Sequence, residues 1–177
     1  MSGAGALPGA APGVTPAAAP GVTPAAAPAA APAAARGGRV AERPIQVRWS
    51  DGDPLGHVNN AVYLTYLESA RGGLVEDALG AGEWSNWILA RIELDFLHEI
   101  PISVREITVR CAVLRIGNSS VRTRDEAVLA DGTVAARAEA VIVVRDLEAG
   151  RPRPLTDRER VALGRYLVVE EEPSPSV

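Results

Sequence analysis

Lysine is absent from this chain, and all 18 basic residues are arginine. Against 22 acidic residues they leave a formal charge of −4, so there is no electrostatic footprint for nucleic acid. A single cysteine, Cys111, excludes an intrachain disulfide. One cysteine and two histidines also fall short of metal-site patterns, so no metal is expected. No basic stretch precedes an apolar run at the N-terminus, and prolines interrupt every apolar stretch there. Neither a signal peptide nor a membrane span is expected, and a reducing, cytoplasmic setting fits these absences.

Residues 1–39 differ in composition from the remainder. PGVTPAAA stands at 12–19 and again at 20–27, and PAAA recurs at 28–31 and 32–35. Proline every four residues denies a helix its hydrogen bonds, and no large apolar side chain is present to build a core. This segment reads as a disordered, extended tail, either a spacer or a neutral extension. The folded domain is expected over 40–169, with a second solvated tail at 170–177.

Within the domain, IQVRW at 45–49 alternates as a strand. Residues 61–79 read as a helix, with Val62, Tyr66, Ala70 and Leu74 on one face and Tyr63 and Leu67 beside them. Glu68, Arg71, Glu76 and Asp77 are assigned to the polar side. Gly72 and Gly73 interrupt the helix, which suggests a close approach or a kink. Four strand-like segments follow. Ile88, Ala90, Ile92, Leu94 and Phe96 alternate in 86–97, and Ile107, Val109, Cys111 and Val113 share a face in 104–116. Residues 121–129 alternate less cleanly. In 133–145, Val134, Ala136, Ala138, Ala140, Ile142 and Val144 form an apolar face whose alanines fit a helix lying on that strand. IGNSS at 116–120 and DG at 131–132 are turns. TDRE at 156–159 has capping-box spacing for a short closing helix. The order predicts an α+β domain in which a long central helix packs on a curved five-stranded antiparallel sheet. One helix cannot cover a whole sheet or its edges, so a dimer or tetramer is expected.

The loop between the first strand and the long helix is crowded with polar residues. WSDGDPLGHVNNAVYLTYLESAR at 49–71 resembles the signature of hot-dog-fold thioesterases, specifically acyl-CoA thioesterases of the 4-hydroxybenzoyl-CoA thioesterase type. The resemblance rests on Asp51, Asp53, Gly56, Tyr63, Tyr66, Ala70 and Arg71. It spans roughly 43–168 and is specific for the loop and helix. It implies a hot-dog fold, hydrolysis of an acyl thioester, and Asp53 as the catalytic carboxylate.

The residues support that assignment on their own terms. Thioester hydrolysis needs a carboxylate that activates water or attacks the carbonyl, together with donors for the oxyanion. Asp53 precedes a helix whose first amides lack intrahelical partners. Those near Asn60 and Ala61 are candidate oxyanion donors, each contributing roughly 10²–10³ in rate. The competing reading of Asp53 is a turn-capping aspartate ahead of Pro54. Asp51 reads as a residue that holds the loop. Gly56 lets the backbone turn closely, His57 is a candidate for positioning substrate or water, and Asn59 for orienting water. Asn60 reads as the helix N-cap. Tyr63 and Tyr66 read as core or pocket wall.

The resemblance also places the active site at a subunit interface, with basic groups holding the nucleotide end of the substrate. Arg115, Ser119 and Ser120 are candidates for that role, beside Arg122 and Arg124; an ordinary charged strand face is the alternative. The expected partners are acyl-CoA or an acyl-carrier protein and further copies of the chain. No cofactor is implied. A non-catalytic hot-dog protein that binds such thioesters is the rival reading.

Overall fold

The computed structural model describes residues 37–168. Most of the Pro/Ala segment 1–39, and all of 170–177, lie outside the described residues. The elements run β1 (Ala41–Gln46), a 3-10 turn (Trp49–Asp51), α1 (Asn60–Leu79), a second 3-10 turn (Glu83–Asn86), β2 (Trp87–Phe96), β3 (Glu106–Ile116), β4 (Ser120–Val128), β5 (Val134–Asp146), β6 (Arg151–Pro152) and α2 (Asp157–Gly164). This is the anticipated order with a two-residue strand, β6, added against the end of β5. The first strand is displaced from its expected place. It starts at Ala41 and ends at Gln46, and Trp49 belongs to the 3-10 turn.

All strand pairs are antiparallel, in the order β1-β3-β4-β5-β2. The sheet curls around one side of α1, the α+β arrangement of a hot-dog domain. Tyr63, Leu67, Ala70, Leu74 and Val75 of α1 are buried against Ile107, Val109, Val113, Val121 and Ala127. Each large aliphatic buried this way stabilises the fold by about 1.5–3 kcal/mol.

The helix backbone approaches β1, β3 and β4 most closely, not β5, where the alanines suggested the closest approach. Ala136, Ala138 and Ala140 are nevertheless fully buried. Beyond them, β2 forms an open edge. Its register with β5 shifts between Leu89 and Arg91, making Ala90 the extra residue of a bulge. The bulge sends Ile88 to the outer face, opposite Val143, while Ile92, Leu94 and Phe96 face inward, opposite Ala140, Ala138 and Ala136. The single alternating face expected for β2 is therefore two half-faces.

The two helix glycines answer to close contacts, and α1 continues through them without a break. A Cβ on Gly72 would lie 3.3 Å from the Trp84 ring, and one on Gly73 would lie 2.4 Å from Arg43 Nε. The bare backbone lets the indole sit down on the helix. It also lets the Arg43 guanidinium cross the helix, donating to the Gly73 carbonyl at 3.1 Å and pairing with Asp77.

Arg71 corrects the sequence reading most sharply. Assigned to the polar face, it is 1% exposed and paired at 2.6 Å with Asp125 of β4, itself fully buried. Thr123, the other polar residue on the inner face of β4, is also fully buried. These two inward polar residues explain why the alternation of β4 is poorly marked in the sequence.

Candidate functional site

The loop from Gly52 to Val58 is closed at its base and stitched along its length. Gly52 and Val58 form an antiparallel bridge, and the Asn59 amide donates to the Asp51 carbonyl at 2.8 Å. Inside that closure, the Asp53 amide donates to the His57 carbonyl at 2.8 Å and the Gly56 amide to the Asp53 carbonyl at 3.1 Å. Gly56 adopts φ of +84°, a left-handed conformation that glycine takes without strain and that makes the tight reversal possible. Its carbonyl accepts from the Ile102 amide at 2.9 Å, and the Val58 amide donates to the Ile100 carbonyl at 2.9 Å. The segment after β2 thereby forms a backing for the loop.

Asp53 is half-buried. Its Oδ1 accepts from the Leu55 amide at 2.9 Å and more loosely from the His57 amide at 3.3 Å. This is the turn-capping geometry raised as the competing reading, and it uses one oxygen. Among the described residues no hydrogen bond reaches Oδ2. The turn bonds fix the carboxylate's orientation while leaving one oxygen for chemistry.

The head of α1 differs in detail from expectation. Asn59, not Asn60, is the N-cap: its Oδ1 accepts from the Ala61 amide at 2.9 Å. The cap consumes the Ala61 donor named as an oxyanion contact, and it engages the oxygen end of the Asn59 side-chain amide, the group expected to orient water. The Val62 amide is also satisfied, by the Asn59 carbonyl at 2.9 Å. Among the described residues the Asn60 amide has no acceptor, and the Asn59 side-chain NH₂ has none. The helix N-terminus thus keeps one main-chain donor and one side-chain donor, next to a site favourable to negative charge.

His57 holds Glu99 through Nε2 at 3.0 Å, with both side chains substantially exposed. No sequence signal singled out Glu99, which reaches the loop only because residues 98–102 fold back beside it. Tyr63 is 2% exposed, and its hydroxyl accepts from the Ile100 amide at 3.2 Å. Its ring meets Phe96 edge-on, centroids 5.2 Å apart. Burial raises the Tyr63 hydroxyl pKa, the Ile100 amide lowers it, and the Glu99 and Asp53 carboxylates raise it further. Tyr63 is therefore a neutral core residue under the loop, not an exposed substrate contact.

Asp51 anchors the loop. Oδ2 accepts from the Tyr66 hydroxyl at 2.7 Å and from the Arg48 amide at 2.9 Å. Burial pushes the Asp51 carboxyl up, but the Tyr66 hydroxyl, the Arg48 amide and the Arg48 charge outweigh it and hold the pKa below the ordinary value. At neutral pH it is an ionised structural acceptor.

Arg115, Ser119 and Ser120 are not brought to Asp53 within one chain. The Ser119 carbonyl accepts from Val144, which pairs with Trp87 at the start of β2, whereas Tyr63 packs on Phe96 at its end. Those ends are separated by a ten-residue strand, roughly 30 Å. Arg122 and Arg124 are engaged with Glu139, so their guanidiniums belong to the charged outer sheet face. Arg115 is exposed and, among the described residues, makes no ion pair. Arg160 of α2 clamps the turn by donating to the Gly117 and Asn118 carbonyls, both at 3.0 Å. A groove of about 330 Å³ lies elsewhere, on the outer side of α1 between Glu68, Glu76 and Trp84.

Comparison with proteins of known structure places this geometry in context. A thioesterase from Thermus thermophilus, solved with coenzyme A and zinc, is 35% identical, with a TM-score of 0.63 over 72% of this chain and 98% of that one. A predicted thioesterase from Bacillus stearothermophilus is 26% identical, with a TM-score of 0.67 over 73% and 97%. A Staphylococcus aureus protein solved with coenzyme A shares the fold at 14% identity, with a TM-score of 0.68 over 79% and 93%. Curated protein sequences gave no match. The Thioesterase-like superfamily matches residues 47–163, taking in the loop, the long helix and all four long strands that follow, and the chain belongs to that superfamily.

Proposed function

We propose that the protein is an acyl-CoA thioesterase of the 4-hydroxybenzoyl-CoA thioesterase type, with Asp53 as its working carboxylate. The carrying observation is a carboxylate fixed through one oxygen, in the loop that leads directly into a helix N-terminus that retains a main-chain donor. In the reaction, Asp53 takes a proton from water as the water oxygen bonds to the thioester carbonyl carbon. The oxyanion is held by the Asn60 amide with the Asn59 side-chain NH₂ beside it. Collapse breaks the carbon–sulfur bond and the proton returns to the departing thiolate. Direct attack by Asp53 uses the same geometry and passes through an anhydride. A single turnover in ¹⁸O-water that leaves label in Asp53 identifies the anhydride route, with water opening the anhydride at the aspartyl carbon. His57, fixed by Glu99, borders the reacting carbonyl.

The acting unit is a dimer formed through β2. The strand is an open edge ten residues long, with Ile88, Leu89 and Phe96 each more than 40% exposed. Such an edge invites pairing. Antiparallel pairing about a two-fold axis through Ile92 sets Arg91 of each copy opposite Glu93 of the other. It also lays the Phe96 end of one copy beside the Trp87 end of its partner. The partner's Arg115–Ser120 turn then lies two strand spacings beyond its β2, about 10 Å away. Arg115, Ser119 and Ser120 would meet substrate phosphates at the other copy's Asp53. Support comes from the T. thermophilus and S. aureus structures, both of which contain coenzyme A.

The test is thiol release from short, long and aromatic acyl-CoAs and from an acyl-carrier protein. Release from at least one class supports the hydrolase. Binding without release from any class transfers the site to the rival, a non-catalytic thioester-binding protein. For the dimer, Arg91→Glu should lower the mass seen by light scattering and Arg91→Glu with Glu93→Arg should restore it. A single-variant mass equal to the parent's would rule out this pairing.

A further inference from the structure

Asp51 makes hydrogen bonds that reach outside the loop on both sides. Its amide donates to the Arg48 carbonyl at 3.0 Å and its carbonyl accepts from the N-cap amide of Asn59 at 2.8 Å. Its carboxylate collects the Arg48 amide at 2.9 Å and the Tyr66 hydroxyl at 2.7 Å. The chain leaving β1, both ends of the loop and the second turn of α1 all meet at this residue. The Tyr66 bond ties the loop base to α1 at a second point, beyond the N-cap. Tyr66 is 5% exposed, so its ring is held by packing and acts as a stiff strut from the helix core to the loop base.

We propose that Asp51 and Tyr66 are a positioning pair that fixes the Asp53 carboxylate relative to the amide donors at the head of α1. Neither residue touches substrate. Burial and the Asp51 carboxylate both raise the Tyr66 hydroxyl pKa, so it stays protonated and donates. The pair therefore holds one arrangement across the working pH range. A shift of about 1 Å in a reacting group costs on the order of 10² in rate. A hydroxyl remote from the chemistry can act through that sensitivity.

The inference rests on the reading of Asp53 given above, and its test separates the two. In the full-length protein, Tyr66→Phe should lower kcat by roughly 10–100-fold. KM should stay within about twofold, as expected when ground-state binding is untouched. Asp51→Asn keeps an acceptor for both donors and should recover most of the rate, whereas Asp51→Ala should not. The double variant Asp51→Ala with Tyr66→Phe should be no slower than Asp51→Ala, because both remove the same contact. Hydrogen exchange in Tyr66→Phe should quicken over residues 52–59 and stay unchanged over 106–128. Parental kcat in Tyr66→Phe, a loss confined to KM, or additive effects would overturn the proposal. If the parent releases no thiol from any thioester, the hydrolase reading fails, and exchange alone decides: quickening limited to 52–59 upholds the pair, and an unchanged loop refutes it.

Discussion

The Arg71–Asp125 pair offers a perturbation whose size and pH dependence follow from its surroundings. The guanidinium Nη1 lies 2.6 Å from Oδ2 with both groups essentially unexposed. Arg71 Nε has no hydrogen-bond partner among the described residues, and the Thr123 hydroxyl and Cys111 thiol stand beside the Asp125 carboxylate. Burial raises the Asp125 pKa against the lowering effect of Arg71. A carboxylate with a raised folded-state pKa contributes stability below its unfolded value and loses it as pH rises through the folded value. Ionising Asp125 therefore costs more in the fold than in the unfolded chain, even beside Arg71. Breaking the pair is worse, because one charge is left alone: about 3–5 kcal/mol for Arg71→Met or Asp125→Asn. For a domain of this size that is roughly 10–20 °C in Tm. The two variants should part company on acidification. In Arg71→Met the stranded carboxyl can take up a proton, so its deficit should shrink between pH 7 and 5. In Asp125→Asn the stranded guanidinium cannot be neutralised, so its deficit should persist. Arg71→Met with Asp125→Leu should lie near or above the parent in stability. Urea titrations at pH 7 and 5 read all of this. A double variant as unstable as the sum of its parts, or matching pH profiles for the two single variants, would refute the reasoning.

Glu159 tests the capping box of α2. It accepts from the Thr156 amide at 2.7 Å and takes a two-pronged contact from Arg153 at 2.9 and 2.7 Å, and Arg153 leads in lowering its carboxyl to about 2. A lowered folded-state pKa contributes stability above the unfolded value and loses it as pH falls. Melts should therefore show a loss of roughly 2–3 kcal/mol between pH 5 and 2 that Glu159→Gln lacks. Gly56→Ala should cost about 1–2 kcal/mol because it forces a side chain into a left-handed conformation, and kcat should fall with it as the 53–57 turn shifts. Asn59→Ala should cost about 1 kcal/mol through loss of the N-cap, read as a lower Tm, and should also reduce kcat by removing a side-chain donor.

The fold was legible where one physical demand set the pattern. Long apolar periodicity gave α1 to within a residue, and DG and TDRE marked a hairpin and a cap through local chemistry alone. It was illegible where two demands competed. Arg71 stands four residues after Leu67, on the buried stripe, but its charge argued for solvent; only Asp125, 54 positions later, reconciles the two. The inward positions of β4 are Thr123 and Asp125 for the same reason. Ala90 gives no sign that it is the extra residue of a bulge. At the site, Asn59 and Asn60 are equally good caps by composition, and a one-residue difference reassigns the Ala61 amide. Glu99 and the Tyr66–Asp51 bond are products of tertiary structure that no spacing encodes. The separation of Arg115, Ser119 and Ser120 from Asp53 follows from strand register, which sequence alone did not supply.

The central claim is that the Asp53 carboxylate does chemistry beyond capping its turn. The most direct measurement compares thiol release by the parent and Asp53→Asn on the best acyl-CoA, with affinity for that acyl-CoA measured alongside. Asparagine keeps the Oδ1 contacts of the turn and cannot accept the proton or attack. The account predicts a fall in kcat of at least about 10²-fold with affinity and Tm essentially preserved. Turnover by Asp53→Asn at a rate near the parent's would contradict it.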